Sequence, residues 1–317
     1  MHRLVCVLFD PFYHSHSPGC NRILWFAEVM RVKFAVIGGD RRAVLLCSML
    51  ARDGHRVQSF ALEKAELPGE IPKAGCLQGC VYGADCVILP VPAEKGGFLN
   101  ALYAAGPLGM DELIAALLPG QIVCGGKLSE KSRLGMISAG LHPEDILQRQ
   151  TFTVGNAALT AEGAVGLLIE NSERSILGSH VLICGWGRVG RILALRLRAL
   201  GARVAVAARS PGDRALARAF GCRALDYGQL EGVLDGFDFV INTVPARVLT
   251  DPMLCCLAEG ALLLELASPP GGFDRTLAEN IGIKAVAAPG LPGKTSPYSA
   301  AELIRDEVYQ IIREQEE

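Results

Sequence analysis

Residues Cys184–Gly190 read CGWGRVG, which places three glycines in the spacing G-x-G-x-x-G. The apolar stretch HVLIC leads into them and the amphipathic stretch RVGRILALRLRAL leads out, so they join a predicted strand to a predicted helix. In that context the first glycine permits a tight turn, the second lets the backbone approach a pyrophosphate, and the third lets the helix pack closely on the strand. Unpaired N–H groups at the start of the helix would bind the phosphates. The predicted dinucleotide contacts are Gly185, Gly187, Arg188, Val189 and Gly190.

The next strand, ARVAVAARS (Ala202–Ser210), bears on which dinucleotide binds. A site for NAD usually ends this strand with an acidic residue that accepts hydrogen bonds from the ribose hydroxyls. Here it ends with Arg209 and Ser210, which suit a 2′-phosphate, so we predict NADP while NAD stays possible. The alternative is an exposed arginine that NAD ignores. A later strand, DFVINTVP, ends where such domains usually hold the nicotinamide ribose, which adds the predicted contacts Thr243, Val244 and Pro245.

The glycine-containing unit has a counterpart nearer the N-terminus. Residues 33–61 read KFAVIGGDRRAVLLCSMLARDGHRVQSFA and repeat the order strand, turn, helix and strand of residues 180–209. Downstream, GADCVILPVPA at residues 83–93 matches GFDFVINTVPA at residues 236–246. Short apolar strands without polar alternation, separated by helices, indicate parallel sheets covered on both faces. We therefore predict an α/β fold with two doubly wound Rossmann-like domains, joined by a long helix, with a cleft between them.

The boundaries follow from the stretches between these units. NAALTAEGAVGLLIENS predicts the connecting helix, with Thr160 and Glu162 near its first turns. The first thirty residues show neither the apolar periodicity of a helix nor that of a strand, so we expect an unstructured extension or a start upstream of a natural Met30. A final helix should pack back on the first domain. The predicted segments are 1–32 (extension), 33–155 (first domain, for substrate or partner), 156–177 (connecting helix), 178–297 (dinucleotide domain) and 298–317 (final helix).

Composition and charge argue against several classes of protein. The 317 residues carry a net charge of −2, which provides no field that attracts nucleic acid or an anionic membrane. The best apolar candidate for a membrane helix, Leu254–Ala267, is interrupted by acidic residues. The eleven cysteines are scattered through apolar segments, which favours a cytoplasmic protein without disulfides. Cys76, Cys80 and Cys86 lack the spacing of a zinc site, so no metal is expected.

The sequence lacks the motifs of several enzyme classes, namely G-x-S-x-G, H-E-x-x-H and the P-loop. All six histidines lie at or before His180. D-2-hydroxy-acid dehydrogenases, which share the two-domain plan, place an acid–base histidine after the nucleotide domain. We therefore predict hydride transfer that uses another general base, or little help from one.

Several motifs together resemble the family of dipicolinate synthase A-subunits. They are FAVIGGDRR, VILPVP, TAEG at residues 160–163, INTVPA, ASPPGG and APGLPG at residues 288–293, and the resemblance covers nearly everything from Lys33 onward. It implies an oxidoreductase of endospore formation, in the mother-cell cytoplasm, that works with a flavoprotein-like B-subunit of dipicolinate synthase. It also implies that dihydrodipicolinate, from a branch of lysine biosynthesis, is oxidised to dipicolinate by NAD(P)+.

A dicarboxylate substrate requires anion-binding groups near the nicotinamide. Two segments are candidates: the start of the connecting helix, with Asn156 and Thr160, and the loop after the last strand. Glu162 is the one carboxylate we consider as a base, although helix capping would explain Thr160 and Glu162 equally well. The loop could instead be a rigid turn before the final helix. Its predicted substrate contacts are Pro289, Gly290, Leu291, Pro292, Gly293 and Lys294.

Two alternatives assign the chain a different function. One is an alanine-dehydrogenase-like or imine-reducing enzyme that acts on an amino acid without a partner. The other is a non-catalytic scaffold that senses NADP and regulates its partner. We expect an oligomer, whose number of copies stays open.

Overall fold

The computed structural model describes residues 31–316, so the prediction for residues 1–32 lies almost entirely outside the described residues. Residues 33–145 form a first α/β domain with one main sheet. Its elements are β1 (Lys33–Ile37), α1 (Arg41–Arg52), β2 (Arg56–Phe60), α2 (Leu77–Val81), β3 (Cys86–Ile88), β4 (Glu94–Lys95), β5 (Phe98–Leu99), α3 (Met110–Ala116), β6 (Ile122–Gly125), α4 (Glu130–Ser138) and β7 (His142–Asp145).

The main sheet of this domain is parallel and has the order β2-β1-β3-β6-β7, while β4 and β5 form a small antiparallel hairpin. Numbered by sheet strand alone, the order is 2-1-3-4-5, which is a doubly wound arrangement. Successive residues of a strand point to opposite faces. In β1, Phe34 and Val36 lie in one core cluster and Ala35 and Ile37 in another. Burial on both faces therefore explains the unbroken apolar strands.

Helix α5 (Gln150–Asn171) connects the two domains. It begins at Gln150 rather than Asn156 and ends before residue 177, so both predicted bounds are wrong. The earlier start has a physical cause, because the first turn buries Phe152 in the first-domain core. Further along, Ala161, Ala164 and Leu168 pack in the core of the second domain.

Among residues 31–316, α5 is the one helix that is long and apolar enough to cross a membrane by length and composition. It replaces Leu254–Ala267 as the best apolar candidate. A core helix of a folded protein can have the same length and apolar composition, and α5 packs in the cores of both domains.

The second domain contains β8 (His180–Cys184), α6 (Arg188–Ala199), β9 (Arg203–Ala207), α7 (Pro211–Ala219), β10 (Arg223–Leu225), β11 (Phe239–Asn242), α8 (Asp251–Cys255), β12 (Leu262–Glu265), α9 (Arg275–Asn280) and β13 (Lys284–Ala287). Its sheet is parallel, in the order β10-β9-β8-β11-β12-β13. Numbered within the domain this is 3-2-1-4-5-6, the order of a dinucleotide-binding Rossmann domain. The predicted α/β fold with two doubly wound domains and a connecting helix is confirmed.

Two helices follow β13. The segment predicted as a loop is partly the short helix α10 (Leu291–Thr295), and the final helix is α11 (Pro297–Glu316). Helix α11 packs against α1 of the first domain. The side chains it contributes to the core around Phe34 are Ala301, Ile304, Val308 and Ile311.

Polar contacts also hold α11 against the start of α5. The guanidinium of Arg149 pairs with Glu307, which is buried, and with Glu314 at 2.7 Å. The hydroxyl of Thr151 donates to Glu307 at 2.6 Å. A buried carboxylate requires such partners, so these contacts compensate for the cost of burying Glu307.

Candidate cofactor and substrate site

The glycine turn between β8 and α6 is tightly packed at two of its three glycines. Gly185 has a φ of +103°, and a Cβ there would lie 2.4 Å from Thr243 Oγ1. A Cβ on Gly190 would lie 2.4 Å from the carbonyl oxygen of Gly185. Both positions therefore need glycine for the packing of this turn against α6 and the end of β11.

Gly187 is different, because a Cβ at this position would have open space around it. It precedes α6, and no side chain of residues 31–316 caps its N–H groups. Arg188 is exposed and Val189 is half-buried in the first turn. An open space beside unpaired N–H groups at this end of a Rossmann sheet fits a pyrophosphate. The turn thus has the form that a dinucleotide requires.

The end of β9 presents Arg209 to solvent. Within residues 31–316, no carboxylate lies within 4.0 Å of its guanidinium, whereas Arg214 fixes the backbone by donating to the carbonyl oxygens of Ala208 and Arg209 at 2.7 Å. Burial raises the pKa of the Tyr227 phenol, and the positive charge of Arg209 opposes that shift. The hydroxyl of Ser210 caps α7, where it accepts from the N–H of Asp213 at 3.3 Å.

Thr243, Val244 and Pro245 follow β11 at the same edge of the sheet as the glycine turn. The Thr243 hydroxyl donates to the carbonyl oxygen of Cys184 at 2.8 Å, and Val244 lies close to Gly185. The structure therefore brings the residues predicted after β8 and β11 together, at the point where the strand order reverses.

A polar pair, the buried Asn242 and the half-buried Glu265, underlies this edge, and it was not predicted from the sequence. The Asn242 amide is fully buried and donates to Glu265 at 2.7 Å and to the carbonyl oxygen of Val244 at 2.8 Å. The Glu265 carboxylate also accepts the N–H groups of Ala267 at 2.9 Å and Gly272 at 2.7 Å. These bonds tie the loop of residues 267–272 to the end of β11.

The sequence does contain a signal for this pair. Asn242 and Glu265 each end a strand that is otherwise apolar, FVIN and LLLE. Polar side chains at the carboxyl ends of adjacent buried strands lie at one edge of the sheet. The two residues can be connected only once it is known that β11 and β12 are neighbours in the sheet, and the sequence alone does not show this.

The six residues predicted to bind substrate differ in their exposure to solvent. Leu291 and Pro292 are buried, and Leu291 belongs to the second-domain core, so their burial argues against direct contact of these two side chains with the substrate. Pro289 and Gly290 are exposed, and Gly290 adopts a φ of +70° before α10. Lys294 is also exposed.

Gly293 brings α10 against the first domain. A Cβ at this position would lie 2.9 Å from Arg42 Nε and 3.2 Å from Asp40 Oδ2. Arg42 is largely buried and binds Asp40 with two hydrogen bonds, Nε to Oδ1 at 2.9 Å and Nη2 to Oδ2 at 2.8 Å. Asp40 also caps α1 by accepting the N–H of Arg42 at 3.0 Å. The turn after β1 therefore meets the segment after β13.

The three site residues predicted on the connecting helix, Asn156, Thr160 and Glu162, lie on two different faces of α5. The Arg196 guanidinium in the last turn of α6 binds Glu162 at 3.0 Å and the carbonyl oxygen of Ala158. Gly163 faces α10, through Leu291 and Thr295. Helical spacing places Asn156 and Thr160 on the face of Gly163, not on that of Glu162.

These positions correct two expectations. Because α5 starts at Gln150, neither Thr160 nor Glu162 caps it; the Thr160 hydroxyl donates to the carbonyl oxygen of Asn156 at 2.8 Å, within the helix. Arg196 is nine residues after Gly187, or roughly 13 Å along α6 at about 1.5 Å per residue. Glu162 is therefore an exposed ion-pair partner away from the glycine turn, and its placement argues against a role as the base.

Within residues 31–316, no group of three or more His, Cys, Asp or Glu side chains could hold a metal ion. Of the three clustered cysteines, Cys76 is exposed while Cys80 and Cys86 are buried. Burial raises the pKa of Cys80 to about 12, so this thiol stays protonated and unreactive.

Comparison with protein families divides the chain in the same way as the fold. Residues 33–142 match the family described as the N-terminal domain of the dipicolinate synthase A-subunit. Residues 160–256 match "D-isomer specific 2-hydroxyacid dehydrogenase, NAD binding domain". The second domain is thus a nicotinamide dinucleotide-binding domain of the kind found in oxidoreductases. This second match runs from within α5 to the end of α8, so it includes the glycine turn but not β12 and β13, and the sequence lacks a histidine after it.

The similarity to individual proteins covers most of the chain. The dipicolinate synthase A-subunit of Bacillus subtilis (strain 168) is 29% identical over 288 residues, which cover 89% of this chain and 96% of that protein. The crystal structure of the dipicolinate synthase A-subunit from Bacillus halodurans has a TM-score of 0.80 and 26% identity, covering 89% of this chain and 98% of that one. A transhydrogenase from Sinorhizobium meliloti, 16% identical with a TM-score of 0.65 over 89% of this chain and 94% of that one, shares the fold.

Of the motifs that suggested a family, FAVIGGDRR and VILPVP lie in the first matched region and TAEG and INTVPA in the second, whereas ASPPGG and APGLPG follow the second region. The resemblance to that family is confirmed by the relatives and by the N-terminal domain match. This chain is a homologue of the dipicolinate synthase A-subunit.

Proposed function

We propose that this protein oxidises dihydrodipicolinate, or its hydrated precursor, to dipicolinate by hydride transfer to a nicotinamide dinucleotide. The observation that carries the proposal is the open, uncapped turn at Gly187, in a chain homologous to the dipicolinate synthase A-subunit over 89% of its length. The segments after β1 and β13, which approach each other at Arg42 and Gly293, place the first domain beside that turn's sheet edge.

The chemistry needs little from acidic or basic side chains. The bound dinucleotide supplies the acceptor for a hydride. Loss of one hydride and one proton converts the dihydropyridine ring to an aromatic pyridine, so aromatisation drives the reaction and the proton can pass to solvent. If the hydrated precursor is the substrate, it must also release one water molecule to reach the same product. The protein's tasks are to hold the phosphates at the Gly187 turn, to fix the loops at Asn242 and Glu265, and to orient the substrate carboxylates.

The finer properties belong to the same proposal. Arg209 favours NADP, because an unpaired guanidinium can bind a 2′-phosphate with two hydrogen bonds. By analogy with the family, the chain works with a flavoprotein-like B-subunit in the mother-cell cytoplasm of a sporulating bacterium. It acts there as an oligomer on a small dicarboxylate.

The deciding experiment supplies freshly generated dihydrodipicolinate to the purified protein, with and without the B-subunit. Reduction of NADP+ and NAD+ is followed by absorbance, and dipicolinate by mass spectrometry. We expect dipicolinate and reduced dinucleotide in equal amounts, with NADP+ the faster acceptor. The variant Gly187→Val should lose this activity, whereas Gly232→Ala, at another glycine with open space around it, should keep it. Dinucleotide binding without product, even with the B-subunit, would contradict the proposal.

A further inference from the structure

Lys127 has an unusual backbone conformation for a residue with a side chain. Its φ is +56°, and among residues 31–316 only Ala61 shares a positive φ without being glycine. A side chain in this left-handed region is strained, and strain of this kind persists where the surrounding structure enforces it. Ala61 is buried in a core cluster and has the smallest side chain with a Cβ. Lys127, by contrast, is exposed.

The surrounding structure fixes the backbone of Lys127 from two sides. The carboxylate of Asp145, at the end of β7, accepts the N–H of Lys127 at 2.9 Å and the N–H of Leu128 at 3.1 Å. On the other side, a Cβ on Gly126 would lie 2.6 Å from a methyl group of Val91. Glycine would adopt the conformation of Lys127 without strain, yet the sequence has lysine there.

The Lys127 side chain lines a pocket of about 550 Å³ at the carboxyl edge of the first-domain sheet. No carboxylate of residues 31–316 lies within 4.0 Å of its ammonium group. Lys131, on the same pocket, instead pairs with Asp111 at 2.7 Å. The pocket is also lined by Glu94, whose carboxylate accepts the N–H of Ser129 at 2.7 Å. Of its two lysines, Lys131 is thus paired with a carboxylate and Lys127 is not.

A continuous set of contacts joins this pocket to the domain junction. Gly293, after β13, approaches Arg42, and Arg42 donates to the carbonyl oxygen of Val91 at 2.5 Å. Val91 packs against Gly126, the residue before Lys127. Lys127 thus lies on the edge of the first domain that meets the second domain, where a doubly wound sheet binds its ligands.

We propose that the Lys127 ammonium binds a carboxylate of the small dicarboxylate that this protein oxidises. The proposal rests on the function proposed above and adds a substrate-binding residue on the first domain. Lys127 supplies the pocket lining with a positive charge that has no carboxylate partner among residues 31–316, and a charge-assisted hydrogen bond to a substrate carboxylate would use it.

The test measures binding without turnover. Calorimetric titration with dipicolinate, and with glutarate as a second dicarboxylate, is carried out on the wild type, Lys127→Gly, Lys127→Arg and the control Lys131→Gln. NADP+ binding is measured separately by the fluorescence of Trp186, which lies in the glycine turn, in a Trp25→Phe background. Thermal unfolding reports the stability of each variant.

We expect Lys127→Gly to weaken dipicolinate binding about tenfold or more. Lys127→Arg should retain most of the affinity and Lys131→Gln all of it, while NADP+ binding stays unchanged in every variant. Because glycine relieves the strained φ, Lys127→Gly should also unfold at a higher temperature than the wild type. A gain in stability with a loss of dicarboxylate affinity distinguishes a binding role from a structural one.

Three outcomes separate this proposal from the proposed function. If Lys127→Gly binds dipicolinate as tightly as the wild type, the role of Lys127 is overturned and the proposed function stands. If glutarate binding depends on Lys127 but dipicolinate does not bind, the role of Lys127 stands and the proposed substrate is overturned. If the wild type binds neither dicarboxylate, both are overturned.

Discussion

At the scale of single residues, Gly187 differs from its two neighbours in the glycine motif. Gly185 and Gly190 are needed for packing, whereas a side chain on Gly187 would enter open space. We expect Gly187→Val to fold with an unchanged melting temperature but to bind NADP+ about tenfold more weakly or worse, because the side chain excludes the pyrophosphate. Titration of Trp186 fluorescence checks this, with Gly232→Ala as control. Unchanged affinity in Gly187→Val would place the phosphates elsewhere.

Arg209 is the residue on which the choice of dinucleotide depends. Replacing it by aspartate should weaken NADP+ binding by about tenfold or more, since a carboxylate repels the 2′-phosphate, and should leave NAD+ binding unchanged or improved. Arg218→Asp on α7 makes the same change in charge at another exposed arginine and should alter neither affinity. Calorimetric titration with both dinucleotides gives the ratio. An unaltered ratio in Arg209→Asp would mean that the 2′-phosphate of NADP does not bind this side chain.

Glu265 has a structural task that can be measured apart from activity. Glu265→Ala would leave the buried amide of Asn242 and the N–H groups of Ala267 and Gly272 without their acceptor. We expect the free energy of unfolding to fall by about 2–4 kcal/mol, as for a buried charged hydrogen-bond partner. Denaturant titration measures it, and Glu259→Ala, at an exposed position, should have little effect. Equal stability of the two variants would contradict this account of the pair.

At the scale of helices and strands, the contact of α11 with α1 contains a buried histidine. His55 lies between the rings of Phe34 and Tyr309, at centroid distances of 5.2 Å and 5.4 Å, and its Nδ1 has no hydrogen-bond partner within residues 31–316. Burial lowers its pKa below 6.5, while the nearby Asp53 opposes the shift. Asp53 is itself bound by Tyr309 at 2.9 Å and faces Arg305 at 3.7 Å.

This arrangement predicts a loss of stability in mild acid. Since the folded pKa of His55 is depressed, its contribution is complete above pH 6.5 and is lost as the pH falls through the folded pKa. The free energy of unfolding should therefore decline below pH 6.5, and less steeply in His55→Phe, which has no proton to bind. Urea titrations at pH 5.5 and 7.5 compare the two proteins, with the exposed His142→Phe as control. Equal pH slopes would exclude His55 as a cause.

The elements also show what sequence patterns can and cannot predict. Apolar strands and the glycine turn are local features, so the strand, turn and helix around Gly187 could be predicted directly. The start of α5 could not, because Phe152 is explained only by the first-domain core that receives it. The surroundings of Glu162 and Leu291 could not be predicted from the sequence for the same reason. Their neighbours, Arg196 on α6 and the second-domain core, become adjacent only in the folded chain.

At the scale of the whole molecule, the first domain is completed by residues from the far end of the chain. Removing residues 297–317 would expose the core cluster around Phe34 and leave Arg149 without its two carboxylates. We expect this truncation to unfold the first domain and to leave NADP+ binding by the second domain within about threefold of the wild type. Limited proteolysis and Trp186 fluorescence measure the two effects. Loss of both together would mean that the domains fold as one unit.

The return of α11 to the first domain also determines the order in which the chain can fold as it is synthesised. The elements from β8 to β13 are contiguous, so the second domain can form as soon as they have left the ribosome. The first domain is translated earlier but lacks α11 until residues 297–316 have been made, and its unfilled core stays accessible to chaperones and proteases during that interval. The domain that is made first is therefore the one that is finished last.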